Sequence, residues 1–97
     1  LNKENFMKEV KKAVVTVIGK DMVGILSKVS TAIAGGNASV IEVSQTVLDG
    51  YFCMIMIVDI TEAVVGFEEL KNSIADSVPE MKVHLMHEDI FNSMHRI

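Results

Sequence analysis

The 97-residue chain has no tryptophan, one tyrosine, one cysteine, one proline and a single arginine, and each scarcity removes a class of protein. Cys53 has no intrachain partner, so a small scaffold stapled by disulfides is excluded and a reducing compartment is expected. The longest wholly apolar run, Tyr51 to Val58, falls far short of the roughly 20 residues of a membrane-spanning helix, so no membrane partner is expected. The first residues are charged throughout and lack the apolar stretch of a secretory leader, which makes the cytoplasm the expected location. A formal net charge of −4, with Arg96 the single arginine, leaves no basic surface for a phosphate backbone, so nucleic acid is not an expected partner. The three histidines crowd the C-terminal end and the lone cysteine lies within a strand-like run, an arrangement that gives no catalytic residues and no cofactor to expect.

What is present is a foldable mixture, 49% hydrophobic and 23% charged, of a length that fits one domain. Residues 1–12 mix Lys and Glu with isolated apolar positions and are expected to be a flexible or weakly helical extension, with Met7 as an alternative start. The domain is expected over 13–97. Its first run, Ala13 to Ile18, is β-branched and apolar on both faces, as a central strand is. Gly19 to Gly24 breaks the pattern. Ile25, Leu26, Val29, Ala32 and Ile33 then recur as one stripe of a helix, and Gly35-Gly36 is expected to end it through the left-handed conformation of glycine.

Ala38 to Leu48 alternates apolar and polar residues like an edge strand. Asp49-Gly50 is a type I′ turn signal that folds Tyr51 to Ile60 back as a hairpin partner. Phe52, Met54, Met56 and Val58 alternate with Cys53, Ile55 and Ile57, so this strand too is apolar on both faces. A second helix carries Phe67, Leu70, Ile74 and Val78 and stops at Pro79. A short strand over Lys82 to His87 and a terminal helix bearing Ile90, Phe91, Met94 and Ile97 complete the chain.

The order β-α-β-β-α-β is an α+β, ferredoxin-like arrangement. Right-handed crossovers place the first and third strands centrally, giving a four-stranded antiparallel sheet in order 4-1-3-2 with both helices on one face and a short C-terminal helix added. The other face is then left with aliphatic and methionine side chains at its centre, Met54 or Met56 among them, and needs a cover. A homo-oligomer, most simply a dimer, is expected on that ground, face to face through the sheets or side by side through the second strand and first helix. The terminal helix is expected to dock by its apolar stripe, since two turns do not hold in water alone.

Several chemistries this fold can host lack their residues. An acylphosphatase-like site needs an arginine in the loop after the first strand, where Lys20 and Asp21 stand. An RNA-binding sheet needs exposed aromatics on the first strand, which has none. His84 and His87, three apart in a strand, point to opposite faces and make no preformed metal site. The seven methionines are adaptable core and interface filler.

The most informative stretch is Gly19-Lys20-Asp21-Met22-Val23-Gly24-Ile25-Leu26. Two glycines around an aspartate at a strand-to-helix junction allow a tight turn in which Asp21 caps the helix and free backbone N–H groups face an anion. With Gly35-Gly36-Asn37 before the second strand and Ser44-Gln45-Thr46 within it, the sequence resembles an ACT domain, whose pattern is a G-x-D-x-x-G-[IL]-[LV] loop and an asparagine opening the second strand. The tail from Glu88 to Ile97 resembles that of small stand-alone bacterial and archaeal ACT proteins. Met22 and Val23 stand where many members have arginine and proline.

The resemblance implies a regulatory module that binds an amino acid or similar small molecule at an interface, through Gly19, Asp21, Met22, Val23, Gly24 and Ile25, with Asn37 and Gln45 as further contacts. One loop would then read both ends of a zwitterion, the carboxylate at the helix start and the ammonium at Asp21. A regulated protein partner is also implied. The competing reading is an association module that docks on protein without a small ligand, for which Asp21 and Asn37 are only caps.

Overall fold

The fold is given by a computed structural model, whose described residues are 9–20 and 23–94. β1 (Lys12–Gly19) is followed by α1 (Ile25–Gly35), β2 (Ser39–Leu48), β3 (Tyr51–Asp59), α2 (Phe67–Ser77), β4 (Lys82–His87) and α3 (Glu88–Met94). The four strands form one antiparallel sheet in the order β2-β3-β1-β4, the arrangement expected from the sequence. The strand expected from Ala13 begins one residue earlier, because Lys12 pairs with Asp59. The expected flexibility of residues 1–8 lies outside the described residues.

β1 and β3 occupy the centre because they alone can satisfy two apolar neighbourhoods. Ala13, Val15 and Val17 on β1 and Phe52, Met54, Met56 and Val58 on β3 face the helix layer, where Ile25, Val29, Ile33, Leu70 and Ile74 close the core. Burying each such aliphatic side chain contributes roughly 1.5–3 kcal/mol, which makes this layer the main source of stability.

Met54 and Met56 are fully buried here, which corrects the expectation that one of them faces outward. The open face of the sheet carries Cys53, Ile55 and Ile57 instead, beside Thr16 and Ile18 of β1. Period-two alternation has the same form when both sets are apolar, so the inward set is chosen by packing against the helices.

The turns follow local chemistry, with two corrections. Asp49 and Gly50 have φ of 52° and 81°, the paired positive values of a type I′ hairpin. At the end of α1 the left-handed residue is Asn37, with φ 61°, while Gly36 sits at φ −90°. The Ala38 N–H donates to Ile33 O at 3.2 Å and the Asn37 N–H to Ala34 O at 2.9 Å, a Schellman motif closed by the buried Ala38 and Ile33. Gly36 is closely packed, since a Cβ there would lie 3.1 Å from both Leu70 and Val65 side-chain carbons, which would have to shift by a few tenths of an ångström.

The other end of α1 also differs from expectation. Its N-cap residue is Gly24, at φ 72° and with no side-chain cap hydrogen bond, rather than Asp21. Two residues, Met22 and Val23, stand between Asp21 and that position, and Asp21 itself lies outside the described residues.

α3 packs against β1 and β4, and one residue of β1 on the open side of the sheet is buried. Val14, which points to that side, is only 1% exposed. Within one chain Ile90 and Met94 are exposed and Phe91 is half-buried, so of the two expected docking places, the body and a partner subunit, the body does not take Ile90 and Met94. The helix thus presents part of its apolar stripe to solvent. Ile97 lies outside the described residues.

Candidate functional site

The sheet has two ends, and they divide the expected site residues. The upper end gathers the C-terminus of β1, the start of α1 and the β2–β3 hairpin; the lower end gathers the end of α1, the start of β2 and the β3–α2 loop. Gly19, Val23, Gly24 and Ile25 are at the upper end. Asp21 and Met22 belong to the same loop by sequence but lie outside the described residues. Asn37 is at the lower end, beyond the far terminus of an α1 that at 11 residues is about 16 Å long. A single chain thus does not bring Asn37 to the loop.

Each placed residue has a local reason for its position. Gly19 ends β1 opposite Phe52, and its missing side chain is replaced by Met81, whose Sδ lies 2.3 Å from where a Gly19 Cβ would be. Met81 is buried, so the thioether forms the floor from which the loop departs. Gly24 is needed for its left-handed φ and not for close packing, since a Cβ there would meet only Lys28 Cε, at 3.8 Å. Lys20 leans toward the hairpin, with Nζ 5.6 Å from the Tyr51 ring centroid. Neither the Met81 seat nor the Lys20–Tyr51 pair has a local sequence signal, because the partners are distant in the chain.

Val23 is strongly exposed, whereas the Ile25 side chain is buried in the core, so Ile25 can reach a ligand only through its backbone. The Lys28 N–H donates to Gly24 O at 3.0 Å, the bond that opens α1. Helix geometry leaves the N–H groups of Ile25, Leu26 and Ser27 without intrahelical acceptors, a setting that favours a carboxylate.

Gln45 pairs with Met54, which in turn neighbours Val17 across β1, and is exposed on the helix-layer side toward the upper end. The Asn37 Nδ2 donates to Glu62 O at 2.9 Å, which pins the start of β2 to the β3–α2 loop. Its Oδ1 has no hydrogen-bond partner among the described residues.

β2 shapes the surface beside this loop. All ten of its residues are exposed, and Val40, Ile41, Val43, Val47 and Leu48 give it an apolar character continued by Leu26 on α1. As the end strand of the sheet it also offers an unpaired backbone edge.

A four-stranded antiparallel sheet in this order, with two helices on one face, defines a ferredoxin-like fold. The chain belongs to the ACT domain family, whose profile matches residues 11–87. It is 44% identical over 88 residues to a UPF0237 protein of Listeria innocua, covering 89% of this chain and 99% of that one. An ACT domain protein from Streptococcus pneumoniae has a similar structure at TM-score 0.71 and 33% identity, over 90% of this chain and all of that one. The regulatory subunit of aspartate kinase from Thermus flavus shares the fold at TM-score 0.57 and 21% identity, over 80% of this chain and 52% of that one. The ACT domain is a regulatory ligand-binding module in related proteins, not a catalytic one.

Proposed function

We propose that this protein is a cytoplasmic homodimeric sensor of an amino acid, with each ligand site built from two chains, and that ligand occupancy regulates a protein partner. The observation that carries the reading is the division of the loop and Asn37 between opposite ends of a chain whose β2 is uncovered along its whole length. Pairing β2 antiparallel with β2 of a second copy about a two-fold axis extends the sheet and sets the lower end of one chain beside the upper end of its partner. The loop of one chain then meets Asn37 of the other, and two equivalent sites result.

In each site the N–H groups at the start of α1 receive the ligand carboxylate, and Asp21 offers the opposite charge to its ammonium group. The partner's Asn37 contributes its free Oδ1, and Gln45 adds a neutral donor and acceptor. Gly19, Met22, Val23, Gly24 and Ile25 shape the loop around the ligand. The exposed Val43, Val47 and Leu26 supply the apolar part of the dimer contact.

Complementation tests the shared site. Calorimetry against the amino acids should find one that binds wild type, and neither Gly24→Val nor Asn37→Ala should bind it alone. A refolded equal mixture of the two variants should recover binding, because each heterodimer has one site with both halves intact. No recovery would place the site within one chain. No amino acid binding to wild type below about 1 mM, a free energy of only about 4 kcal/mol, would favour the association module without a small ligand.

A further inference from the structure

A cavity of about 280 Å³ lies at the lower end of the sheet beside the β3–α2 loop. That volume is close to the lower bound of the about 300–1,000 Å³ range of small-molecule sites, and so suits a metabolite-sized ligand. Its floor is apolar, made by Ile60, Val65, Phe67 and Leu70, and its polar rim is Lys11, Thr61 and His87.

The loop above the cavity is preformed. The Ile60 N–H donates to Lys11 O at 2.9 Å, and the Lys11 N–H donates to Thr61 Oγ1 at 2.8 Å. The Val64 N–H donates to Gly36 O at 3.0 Å, tying the loop to the end of α1. The Thr61 hydroxyl, accepting from Lys11, keeps its own proton to donate.

The two basic groups share one side of the sheet. His87 pairs with Ala13, whose side chain faces the helix layer, and Lys11 lies two residues before Ala13 on the same face. Such diagonal neighbours are about 7–8 Å apart. The His87 ring is held by stacking on Phe67, with centroids 4.2 Å apart and planes at 19°.

The acidic side chains nearest this cavity line two neighbouring depressions. The groove between α1 and α2 includes Glu69, and the cleft at the start of β1 includes Glu9, Glu88 and Asp89. Lys11 and His87 border that acidic cleft as well as this cavity, whose own lining holds no acidic side chain among the described residues. The nearby Asp59 is occupied in part by the Thr61 N–H, which donates to its Oδ1 at 2.9 Å, and Glu62 holds Asn37 through its backbone carbonyl.

We propose that this cavity binds a small monocarboxylic acid with a branched aliphatic or aromatic body, its carboxylate between Lys11, Thr61 and the His87 ring edge and its body on the apolar floor. An α-amino group on the same ligand would find no acid in the lining and would sit beside the Lys11 ammonium. The site therefore selects acids without that group, the opposite preference from the amino-acid site proposed at the upper end. The two sites are far enough apart to be occupied independently.

The test is an NMR titration of the full ¹⁵N-labelled chain with 3-phenylpropionate and 4-methylpentanoate, using phenylalanine and leucine as their ammonium-bearing counterparts. Saturable shifts should centre on the amides of Thr61, Ala63, Val65, Phe67 and His87, with the two acids binding at least about tenfold more tightly than the amino acids. Ala63→Leu, which narrows the cavity, should abolish the shifts. Lys11→Gln, a surface change that leaves the fold intact, should weaken binding about fivefold or more, the scale of one charged hydrogen bond. Lys82→Gln, on the open face at the other end of the sheet, should leave it unchanged. The proposal fails if the acids do not saturate below about 10 mM, if the shifts map to Gly19–Leu26, if the amino acids bind equally well, or if Lys11→Gln has no effect.

Discussion

The sheet ends in two edge strands that are finished differently. β4 is short, carries Lys82, His84 and His87, buries Leu85 against the helix layer and is in contact with α3. β2 is ten residues long, has Glu42 as its one charged side chain, and is exposed on both faces. Natural sheets protect an edge by shortness, charge or a covering element, and β4 uses all three. β2 uses only a bulge, where Ile41 stands between the Val40–Val58 and Glu42–Ile57 pairs. An unprotected apolar edge is what a strand kept available for pairing looks like, and for that reason the dimer proposed here runs through β2.

The largest contrast should come from charging the two edges separately. Val43→Lys with Val47→Lys should convert the dimer to monomer in light scattering, whereas His84→Lys on β4 should leave the mass unchanged. A wild-type monomer at micromolar concentration, or a dimer that survives the β2 pair of lysines, would remove the difference in role.

A smaller effect is expected where β4 begins. Met81→Ala should cost about 2–5 kcal/mol by emptying a buried site, read as a lower midpoint in denaturant. Gly19→Ala should cost about 1–3 kcal/mol by overpacking against the Met81 thioether, and adding Met81→Ala to it should cost less than the two changes summed. Strict additivity would show that the two residues do not share space.

Truncation after His87 removes the contacts that β4 and β1 make with α3. It should lower stability by about 1.5–3 kcal/mol, the scale of exposing one Val14-sized side chain, and lower Tm accordingly. An unchanged melting curve would mean that Val14 is protected without α3.

The smallest effect concerns the start of β2. Asn37→Ala should cost about 1–2 kcal/mol because alanine resists the left-handed conformation, and Asn37→Gly should recover most of that. Ligand binding separates the two roles of Asn37, since glycine restores the backbone but not Oδ1. If Asn37→Gly binds the amino acid as wild type does, the side chain is structural only.

Much of this architecture was legible in local pattern. Two runs apolar on both faces marked the central strands, Asp49-Gly50 marked the hairpin, and Pro79 marked the end of α2, because these signals depend on few residues and on rigid backbone rules. The site was legible only as a list. Gly19, Gly24 and Ile25 could be read as neighbours at one strand-to-helix junction, but nothing in the spacing showed that Asn37 stands at the opposite end of α1, because that requires knowing how helix and strand run in space. Gly36 and Asn37 exchanged their expected roles for a related reason: the left-handed position is settled by which residue closes the Schellman bonds, and Gly36 is held by the approach of Leu70 and Val65.

By itself the sequence determined the order of elements, the central pair of strands and the loop where a ligand is sought, since these follow from alternation, turn chemistry and the handedness of crossovers. Only the tertiary structure decided which face of β3 is inward, that α3 meets β1 and β4 while exposing Ile90, that Met81 underlies Gly19, and that Lys11 and His87 share a cavity. Each of these is a contact between residues remote in the chain. Such contacts are chosen by volume and space among many that local pattern permits equally.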